Sequence, residues 1–499
     1  MNRKLKKIIP IAIIFVMVFS LLIVGVVAYN KDSKIEKLVI YNWADYIEPE
    51  ALKMFETYYE QKTGKELKII YSLFETNETM ITEVIKGDSQ IDLVCPSEYA
   101  IQKLMTNNLL HKLDMPVSEY SNLSNVMPAI RDKVSEVFTS IDVNGKGEQM
   151  NDYFVPYMWG TLGILYNSKM VSEEDLKQGW GLLWNKGNNP KLNGKILMKD
   201  SVRDIYAATM TYLLEENLLP EKYRGYSIEQ LINTVDDDLL NLAEKALTDQ
   251  RSKLKGYEVD FGKDDMINEV AYIDLAWSGD ALWAIEESYN EKTDDYLLDY
   301  FVPETGGNIW FDGWAITTSA QNIPAAKMFI DFMCRPDIAM MNNMNIGYTC
   351  GIDPNVFLDV NNATYGEYSR EALANLVACE YAYKIDPVDM EEGGIYVELE
   401  IDGETAAYDF TEYFGDTRRY PVFSDNLGVM KDFGEENEAT VAMWERVKGS
   451  DGFPWSLVIF FVSLVGIIVA IFGAIILVRM YFNKRRPVAQ IETKNVFGN

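Results

Sequence analysis

Short apolar segments alternate with helical segments along the first third of the chain, and this alternation limits the fold more than any other feature. The predicted strands and helices follow one another as 37–41, 49–63, 67–71, 75–86 and 91–95. Short strands separated by helices form βαβ units, in which the strands lie parallel. The sequence therefore predicts an α/β fold built on a mainly parallel sheet.

The same pattern resumes later in the chain and indicates a second lobe. Strands are expected at 194–198, 271–276 and 308–317, and helices at 201–216 and 325–333. Two segments, 154–157 and 300–303, are interpreted as crossings between lobes. The expected division is a first α/β lobe of 37–153 and 313–350 and a second α/β lobe of 157–308 and 351–449.

Two apolar runs, 8–29 and 457–478, lie on either side of these lobes. Each has 22 residues and a basic flank, long enough for a bilayer that needs about 20. The second predicts a transmembrane helix, and the first either a membrane anchor or a signal peptide cleaved near Ala28. Because positive charge stays on the cytoplasmic side, we expect the lobes outside the cell membrane, and both termini inside if the first run is not cleaved.

Composition narrows the class of function. The chain has 76 acidic and 46 basic residues, a formal net charge of −30, and such a surface repels nucleic acid and attracts cations. The one histidine, His111, belongs to no catalytic motif, and no phosphate-binding loop is present. The four cysteines lack metal-ligand spacing, and their pairing is left open. We expect a binding protein rather than an enzyme, with no cofactor and no metal.

Residues 385–416 contain eleven acidic residues and neither Lys nor Arg. Within them Val397, Leu399 and Ile401 alternate with acidic residues and precede an Asp-Gly turn, which predicts an exposed β-hairpin. We interpret the segment as an acidic insertion that decorates the second lobe. Its oxygen ligands could suit calcium, but the spacing of an EF-hand loop is not present.

Tryptophan and aspartate occur close together three times, as Trp43 with Asp45, Trp277 with Asp280 and Trp310 with Asp312. An aromatic face and a carboxylate together suit an organic cation, because the carboxylate pairs with an ammonium and the ring attracts the charge by ~0.5–2 kcal/mol. Trp310 and Asp312 lie in a predicted strand, where residues i and i+2 share a face.

Several of these residues follow predicted strands. Trp43, Ser97, Asp200 and Trp277 each come just after one, and Tyr99 shares the i, i+2 spacing with Ser97. Ligands of open α/β sheets bind beyond the carboxyl ends of the strands. The sequence therefore favours a cation-binding cleft at this edge.

Five motifs carry a family resemblance. They are Tyr-Asn-Trp-Ala-Asp-Tyr at 41–46, Tyr-Ser-Leu-Phe-Glu-Thr-Asn-Glu-Thr at 71–79, Pro-Ser-Glu-Tyr at 96–99, Pro-Tyr-Met-Trp-Gly at 156–160 and Ile-Gly-Tyr at 346–348. In this order they resemble the spermidine/putrescine-binding proteins of polyamine ABC importers, over about residues 37–350. The resemblance implies a two-lobed periplasmic-binding-protein fold of type II that closes on a linear polyamine, with an ABC permease and ATPase as partners.

The resemblance also implies roles for particular residues. Trp43 and Tyr46 should line the cleft from the first lobe, with Ser97 and Tyr99 beside them and Tyr348 as a further wall. Trp277 and Trp310 should enclose the methylene chain of the polyamine. Asp312 should be the main carboxylate for its ammonium groups, and Asp204 stands in place of the family's glutamate.

Four weaker or selective positions complete the set. Ser201 stands where spermidine receptors often have an aspartate, and the adjacent Asp200 could compensate. Asp280 and Asp45 resemble the putrescine receptors, whereas Tyr99 and Trp310 resemble the spermidine receptors. The preferred polyamine is therefore left open by the sequence.

Together these features predict a membrane-tethered extracytoplasmic polyamine receptor that feeds an ABC importer. A sensor for polyamines or other organic cations, without a transport role, is an alternative. An extracellular carboxylate-dependent hydrolase is a third reading, since paired carboxylates also serve glycosidases.

Overall fold

The computed structural model of the protein describes residues 35–87 and 89–449. Within these ranges, no helix has both the length and the apolar character needed to cross a bilayer. The two predicted membrane segments, 8–29 and 457–478, lie outside the described residues. The chain divides into two units, Met1–Val441 and Ala442–Asn499, and the second is described only over the end of one helix.

The strands have the following bounds. They are β1 (Glu36–Trp43), β2 (Leu67–Phe74), β3 (Leu93–Val94), β4 (Ile141–Val143), β5 (Lys146–Glu148), β6 (Phe154–Asn167), β7 (Ile196–Lys199), β8 (Leu254–Glu258), β9 (Ile273–Trp277), β10 (Tyr289–Asn290), β11 (Asp295–Tyr296), β12 (Leu298–Phe301), β13 (Gly307–Ile316), β14 (Thr349–Cys350), β15 (Tyr383–Lys384), β16 (Tyr396–Ile401), β17 (Glu404–Asp409) and β18 (Leu427–Gly428).

The α-helices have the following bounds. They are α1 (Pro49–Thr63), α2 (Asn77–Lys86), α3 (Glu98–Thr106), α4 (Pro128–Val137), α5 (Glu173–Leu176), α6 (Val202–Glu215), α7 (Ile228–Ile232), α8 (Asp237–Gln250), α9 (Gly262–Ile267), α10 (Ser278–Glu287), α11 (Ile323–Met333), α12 (Pro336–Ile346), α13 (Pro354–Leu358), α14 (Gly366–Ala378), α15 (Thr411–Gly415) and α16 (Asn437–Gly449).

Local signals explain where the first helices begin and end. Glu48 caps α1 by accepting from the backbone N–H of Glu50, and Pro49 supplies the fixed φ of the first turn. Gly64 ends the helix in the left-handed region at φ 71°, where a residue without Cβ is favoured. The bounds predicted for this helix are therefore confirmed.

The main sheet runs in the order β2–β1–β3–β13–β6–β9–β7–β8. β1 pairs in parallel with β2 and β3, and β7 pairs in parallel with β8 and β9, as the βαβ pattern predicts. The centre differs, because β13 is antiparallel to both β3 and β6, and β6 is antiparallel to β9. The two parallel groups thus belong to separate lobes, joined through two long antiparallel strands.

β6 and β13 carry the chain between the lobes, and every residue of both is buried. The start of β6 pairs with the end of β13 near β3, and the end of β6 pairs with β9. The predicted crossing at 154–157 coincides with the start of β6. The crossing predicted at 300–303 is wrong, since β12 occupies this region and pairs antiparallel with β6 beside β9. The return occurs in β13.

The first lobe has a large apolar core of aromatic rings. Phe55 of α1 contacts Phe329 and Phe332 of α11 at centroid distances of 5.1 and 5.4 Å, and Trp314 of β13 lies 5.2 Å from Phe329. Burying one such side chain contributes about 2–3 kcal/mol. A smaller cluster around Leu165 and neighbouring residues forms a core in the second lobe.

The segment after residue 351 differs from the expected division. Phe357, Leu373 and Phe414 belong to the same buried core as the first lobe. The placement of all of 351–449 in the second lobe is therefore wrong for 356–414, because the apolar faces of α13, α14 and α15 are buried with the first lobe. The remaining lobe boundaries stay predictions.

The predicted hairpin at the centre of the acidic insertion is confirmed. β16 pairs antiparallel with β17 through a turn at Asp402 and Gly403, both with positive φ. Val397 and Leu399 are buried while Glu398 and Glu400 are exposed, as the alternation requires. The cysteines left unassigned by the sequence, Cys95, Cys334, Cys350 and Cys379, are free thiols.

Asp92, just before β3, links its own segment by hydrogen bonds to β1 and to the backbone at 321–322. Its Oδ2 accepts from the Val39 N–H at 2.7 Å, and its Oδ1 accepts from the N–H groups of Gln321 and Asn322 at 2.6 and 2.8 Å. Asp92→Ala leaves these donors without their acceptor, so we expect it to lower the free energy of unfolding by about 3 kcal/mol. Denaturant unfolding measures the change. Asp142→Ala, at an exposed position of β4, is the control, and an equal loss in both variants contradicts the prediction.

Candidate functional site

One cavity collects side chains that follow the strands of both lobes. Its volume is about 80 Å³, counted as the space that the centres of water-sized molecules can occupy. All the site residues expected from the sequence line it, namely Trp43, Asp45, Tyr46, Ser97, Tyr99, Asp200, Ser201, Asp204, Trp277, Asp280, Trp310, Asp312 and Tyr348. Most of them follow the ends of β1, β3, β7 and β9 or lie in the middle of β13, and Tyr348 directly precedes β14. The cavity thus brings the strand ends of both lobes together.

Asp312 lies in β13 next to a β-bulge at Gly313. Gly313 is required there, because a Cβ would lie 2.2 Å from the Phe154 ring and 2.6 Å from the Val155 carbonyl oxygen. The Tyr46 hydroxyl donates to Asp312 Oδ2 at 2.8 Å. Asp312 Oδ1 is buried and meets no hydrogen-bond donor in the described part of the chain. Because a buried carboxylate oxygen is costly without a donor, this atom is suited to a donor from a ligand.

Burial also changes the proton affinity of two acids in this region. It raises the pKa of Asp312 to about 7, against the opposing effects of Ser97 and Tyr46, and Asp204 adds to the rise. It raises the pKa of Glu98 to about 8, although the Phe311 N–H opposes this by donating to Glu98 Oε2 at 2.9 Å. A positive charge placed here would stabilise both carboxylates.

Aromatic rings form a wall around Asp312. The Tyr348 ring lies 4.9 Å from that of Tyr46 and 5.7 Å from that of Trp310, both edge to face. Gly279 allows this position of Tyr348, because a Cβ on it would lie 2.2 Å from the ring. The indole N–H of Trp310 has no acceptor among residues 35–87 and 89–449. The wall therefore presents π faces and one carboxylate together.

The first lobe adds a hydrogen-bonded polar group. Asn77 donates to the hydroxyls of Ser97 at 3.0 Å and Tyr99 at 2.9 Å, and Tyr99 donates to Glu78 at 3.4 Å. Burial raises the pKa of Glu78. The sequence did not predict Asn77 and Glu78 as site residues, although they lie in the 71–79 motif, because neither is near a tryptophan in the sequence.

Trp43 is held at the end of β1 by its indole N–H, which donates to the Cys95 carbonyl at 2.9 Å. Its ring packs on Phe74 at 4.5 Å. Asp45 is exposed, in a loop with φ 48°. The structure thus fixes the aromatic member of the first pair and leaves its carboxylate at the solvent side.

In the second lobe, Ser201 caps α6 by accepting from the Asp204 N–H at 3.5 Å. Asp204 in turn accepts from the Trp277 indole at 3.3 Å, and burial raises its pKa. The Asp200 backbone N–H donates to the Glu258 carbonyl at 2.6 Å, which fixes the end of β7 against β8. Asp204 is therefore a partly buried acid of this lobe that faces the cavity.

Two lysines that sequence reasoning missed also line the cavity. Lys263 Nζ lies 3.4 Å from Asp280 Oδ1, and Lys199 Nζ lies 3.9 Å from Asp280 Oδ2. Lys199 also contacts Glu258 closely. Lys199 ends a predicted strand directly before Asp200, so the strand-end rule that selected Asp200 could have found it.

A family model described as bacterial extracellular solute-binding protein matches residues 53–359, more than half of the chain. The chain belongs to the bacterial extracellular solute-binding protein family. The resemblance drawn from the five motifs is thereby confirmed at the level of the family.

Named solute-binding proteins are similar over most of the two lobes. The spermidine/putrescine-binding periplasmic protein of Escherichia coli K12 is 28% identical over 328 residues, which cover 66% of this chain and 80% of that protein. The putrescine-binding periplasmic protein PotF of the same organism is 26% identical over 306 residues, 60% of this chain and 74% of that protein.

Solved structures of such solute-binding proteins share the two-lobed fold. One from Listeria monocytogenes, assigned to a spermidine/putrescine ABC transporter, is 25% identical with a TM-score of 0.57, and covers 83% of this chain and 99% of its own. The spermidine/putrescine-binding protein PotD of Streptococcus pneumoniae is also 25% identical, with a TM-score of 0.52. The similarity covers 83% of this chain and 98% of that protein.

The raised pKa of Asp312 predicts that this residue destabilises the protein without ligand. In the folded state its pKa is about 7, above the unfolded value of about 3.9, so stability is lost as the pH rises through this range. Asp312→Asn keeps an acceptor for Tyr46 and removes the charge. We expect the variant to be more stable than the native protein at pH 8. This stability advantage should be larger at pH 8 than at pH 5 by an amount on the order of 2–3 kcal/mol. Thermal unfolding at both pH values measures this, and a difference independent of pH contradicts it.

Proposed function

We propose that this solute-binding protein is a receptor for linear aliphatic amines of the putrescine and spermidine type. It delivers them to the permease and ATPase of an ABC importer. The observation that carries the proposal is the buried Oδ1 of Asp312, which has no donor in the described chain and lies within the wall of Trp310 and Tyr348. An ammonium supplies the donor and the charge, and the rings cover the adjoining methylenes.

The negative charge of the residues that line the cavity supports a cationic ligand. Among its described lining residues are ten acids and two lysines. Repulsion between the acids adds to the cost of ionising Asp312, since the Asp204 carboxylate contributes to the raised pKa of Asp312. A ligand with positive charge relieves this repulsion, whereas an anion adds to it.

The names of the relatives agree with this chemistry. Similar proteins from E. coli and S. pneumoniae are named for spermidine and putrescine. Their names alone do not decide between the two ligands here, because residues resembling both kinds of receptor line the cavity.

We propose further that the receptor is tethered outside the cell membrane by residues 457–478, and also by 8–29 if this run is not cleaved, with both termini then cytoplasmic. The apolar length and basic flanks of the runs support this. Membrane fractionation of the full-length chain tests it, and recovery in the soluble fraction without detergent contradicts it.

Asp312→Asn should weaken putrescine binding by more than about tenfold, because a charge-assisted hydrogen bond is replaced by a neutral one. Calorimetric titration of the full-length protein in detergent at pH 8 measures the affinity. Asp331→Asn is the matched control, since Asp331 is also buried but accepts from Asn122 away from the cavity. Unchanged affinity in Asp312→Asn contradicts the proposed site.

Binding should also release a proton near neutral pH. Without ligand the pKa of Asp312 is about 7, and a bound ammonium lowers it, so affinity rises from about pH 5 to pH 7 and then levels off. Calorimetry in buffers with different ionisation enthalpies counts the protons released. Asp312→Asn should abolish most of the release, and an equal release in that variant assigns it to another group.

A further inference from the structure

We propose that Asn308 is a specificity residue of the amine site, and that it favours a linear triamine of the spermidine type over a four-carbon diamine. The inference rests on the proposed amine receptor and selects among the ligands proposed for it. Asn308 lies in β13 and lines the cavity, although it is not one of the site residues expected from the sequence.

Alternate residues of β13 form one row along the cavity. Asn308, Trp310 and Asp312 line it, whereas Ile309 and Phe311 do not, as the alternation of a strand requires. The pairing of β13 with β6 is regular from Ile309 to Asp312, and the register shifts only after Asp312. The three lining side chains therefore stand on one face, with the Trp310 ring between two polar groups.

Backbone carbonyls fix the orientation of the Asn308 amide. Its Nδ2 donates to the carbonyl oxygens of Ile309 and Gly428, each at 3.0 Å. Turning the amide over would place Oδ1 against these two acceptors, so the observed orientation is the stable one. Oδ1 is buried and meets no donor within residues 35–87 and 89–449. Asn308 thus presents a fixed acceptor that lacks a donor.

The row has a second such acceptor at its other end. Asp312 Oδ1 is also buried without a donor in the described part of the chain. A strand rises about 3.3 Å per residue, so the Cα atoms of Asn308 and Asp312 lie about 13 Å apart. Because side chains stand roughly perpendicular to a sheet, a ligand lying along β13 meets two acceptors at about this spacing.

The length of a ligand decides whether it reaches both acceptors. An extended aliphatic chain advances about 1.25 Å per bond, so the nitrogens of putrescine lie about 6 Å apart and the terminal nitrogens of spermidine about 11 Å apart. Putrescine held at Asp312 therefore ends beside the Trp310 ring. Spermidine held there extends past the ring, and its far ammonium donates to Asn308 Oδ1.

The acids of the cavity do not make this selection by length. They attract every polyamine, because the attraction between charges falls off slowly with distance. Asn308 carries no charge, and its hydrogen bond requires a donor in direct contact. Its effect is therefore confined to ligands long enough to touch it.

Calorimetry on the full-length protein in detergent tests the inference with putrescine, spermidine and diaminooctane, a terminal diamine as long as spermidine. Diaminooctane carries the same charge as putrescine, and the native protein should bind it about tenfold more tightly. Asn308→Ala should weaken the binding of spermidine and diaminooctane by about tenfold and that of putrescine by less than about twofold.

Asn125→Ala is the matched control. Asn125 is likewise buried, its Nδ2 donates to the Cys334 carbonyl at 3.0 Å, and its Oδ1 has no donor among the described residues. It does not line the cavity, so this substitution should leave all three affinities unchanged. Thermal unfolding identifies any loss of fold, and if Asn308→Ala is unfolded, Asn308→Leu replaces it.

Three results would overturn the inference and leave the receptor function standing. The first is a loss of affinity in Asn308→Ala that is equal for all three ligands, which assigns Asn308 a structural role. The second is unchanged spermidine binding in that variant. The third needs no variant, and is diaminooctane that binds the native protein no more tightly than putrescine. Binding of none of the three ligands overturns the receptor function as well.

Discussion

The antiparallel pairing of β6 with β13 is the constraint on which the site depends. These two strands are buried along their whole length and pass from one lobe to the other. The bulge at Gly313 changes the register just after Asp312, where the chain leaves one sheet group for the next. The carboxylate is therefore held by the strand that joins the lobes, and the loops after β1 and β3 close against it through Tyr46 and Ser97.

The acids that line the cavity have two kinds of surroundings. Asp312 and Glu98 are buried among rings and backbone, so their pKa values rise. Asp280, by contrast, lies between the ammonium groups of Lys199 and Lys263. Burial makes any carboxylate costly, and a neighbouring ammonium offsets part of that cost. Asp280 has two such neighbours, whereas Asp312 has none among the described ion pairs.

Much of the fold and of the lining could be predicted from the sequence. Strand ends and residue spacing are local properties, so the motifs at Trp43, Ser97 and Trp277 were sufficient to gather these residues at one edge. The reversal at β13 and the packing of 356–414 with the first lobe could not be predicted in this way. Both depend on which apolar faces meet in space, and sequence periodicity does not specify a partner.

The same limit applies within the site. The sequence identifies Asp280 as an acid beside Trp277 but does not reveal that Lys263, on another helix, contacts it. The contribution of a charged side chain to ligand binding depends on the charged groups within a few ångströms of it. These groups come from distant parts of the chain. Residue type and spacing therefore predicted membership of the cavity well and predicted the role of individual charges less well.

The hydrogen bond from Tyr46 to Asp312 joins the loop after β1 to the strand shared by both lobes. The other carboxylate oxygen, Oδ1, is buried without a donor among the described residues. The free energy that a bound ammonium gains at Asp312 therefore depends on the residues that bury this oxygen. On the proposed function, the cargo itself holds the receptor shut, and a transporter that recognises the shut form distinguishes loaded from unloaded receptors without contacting the cargo.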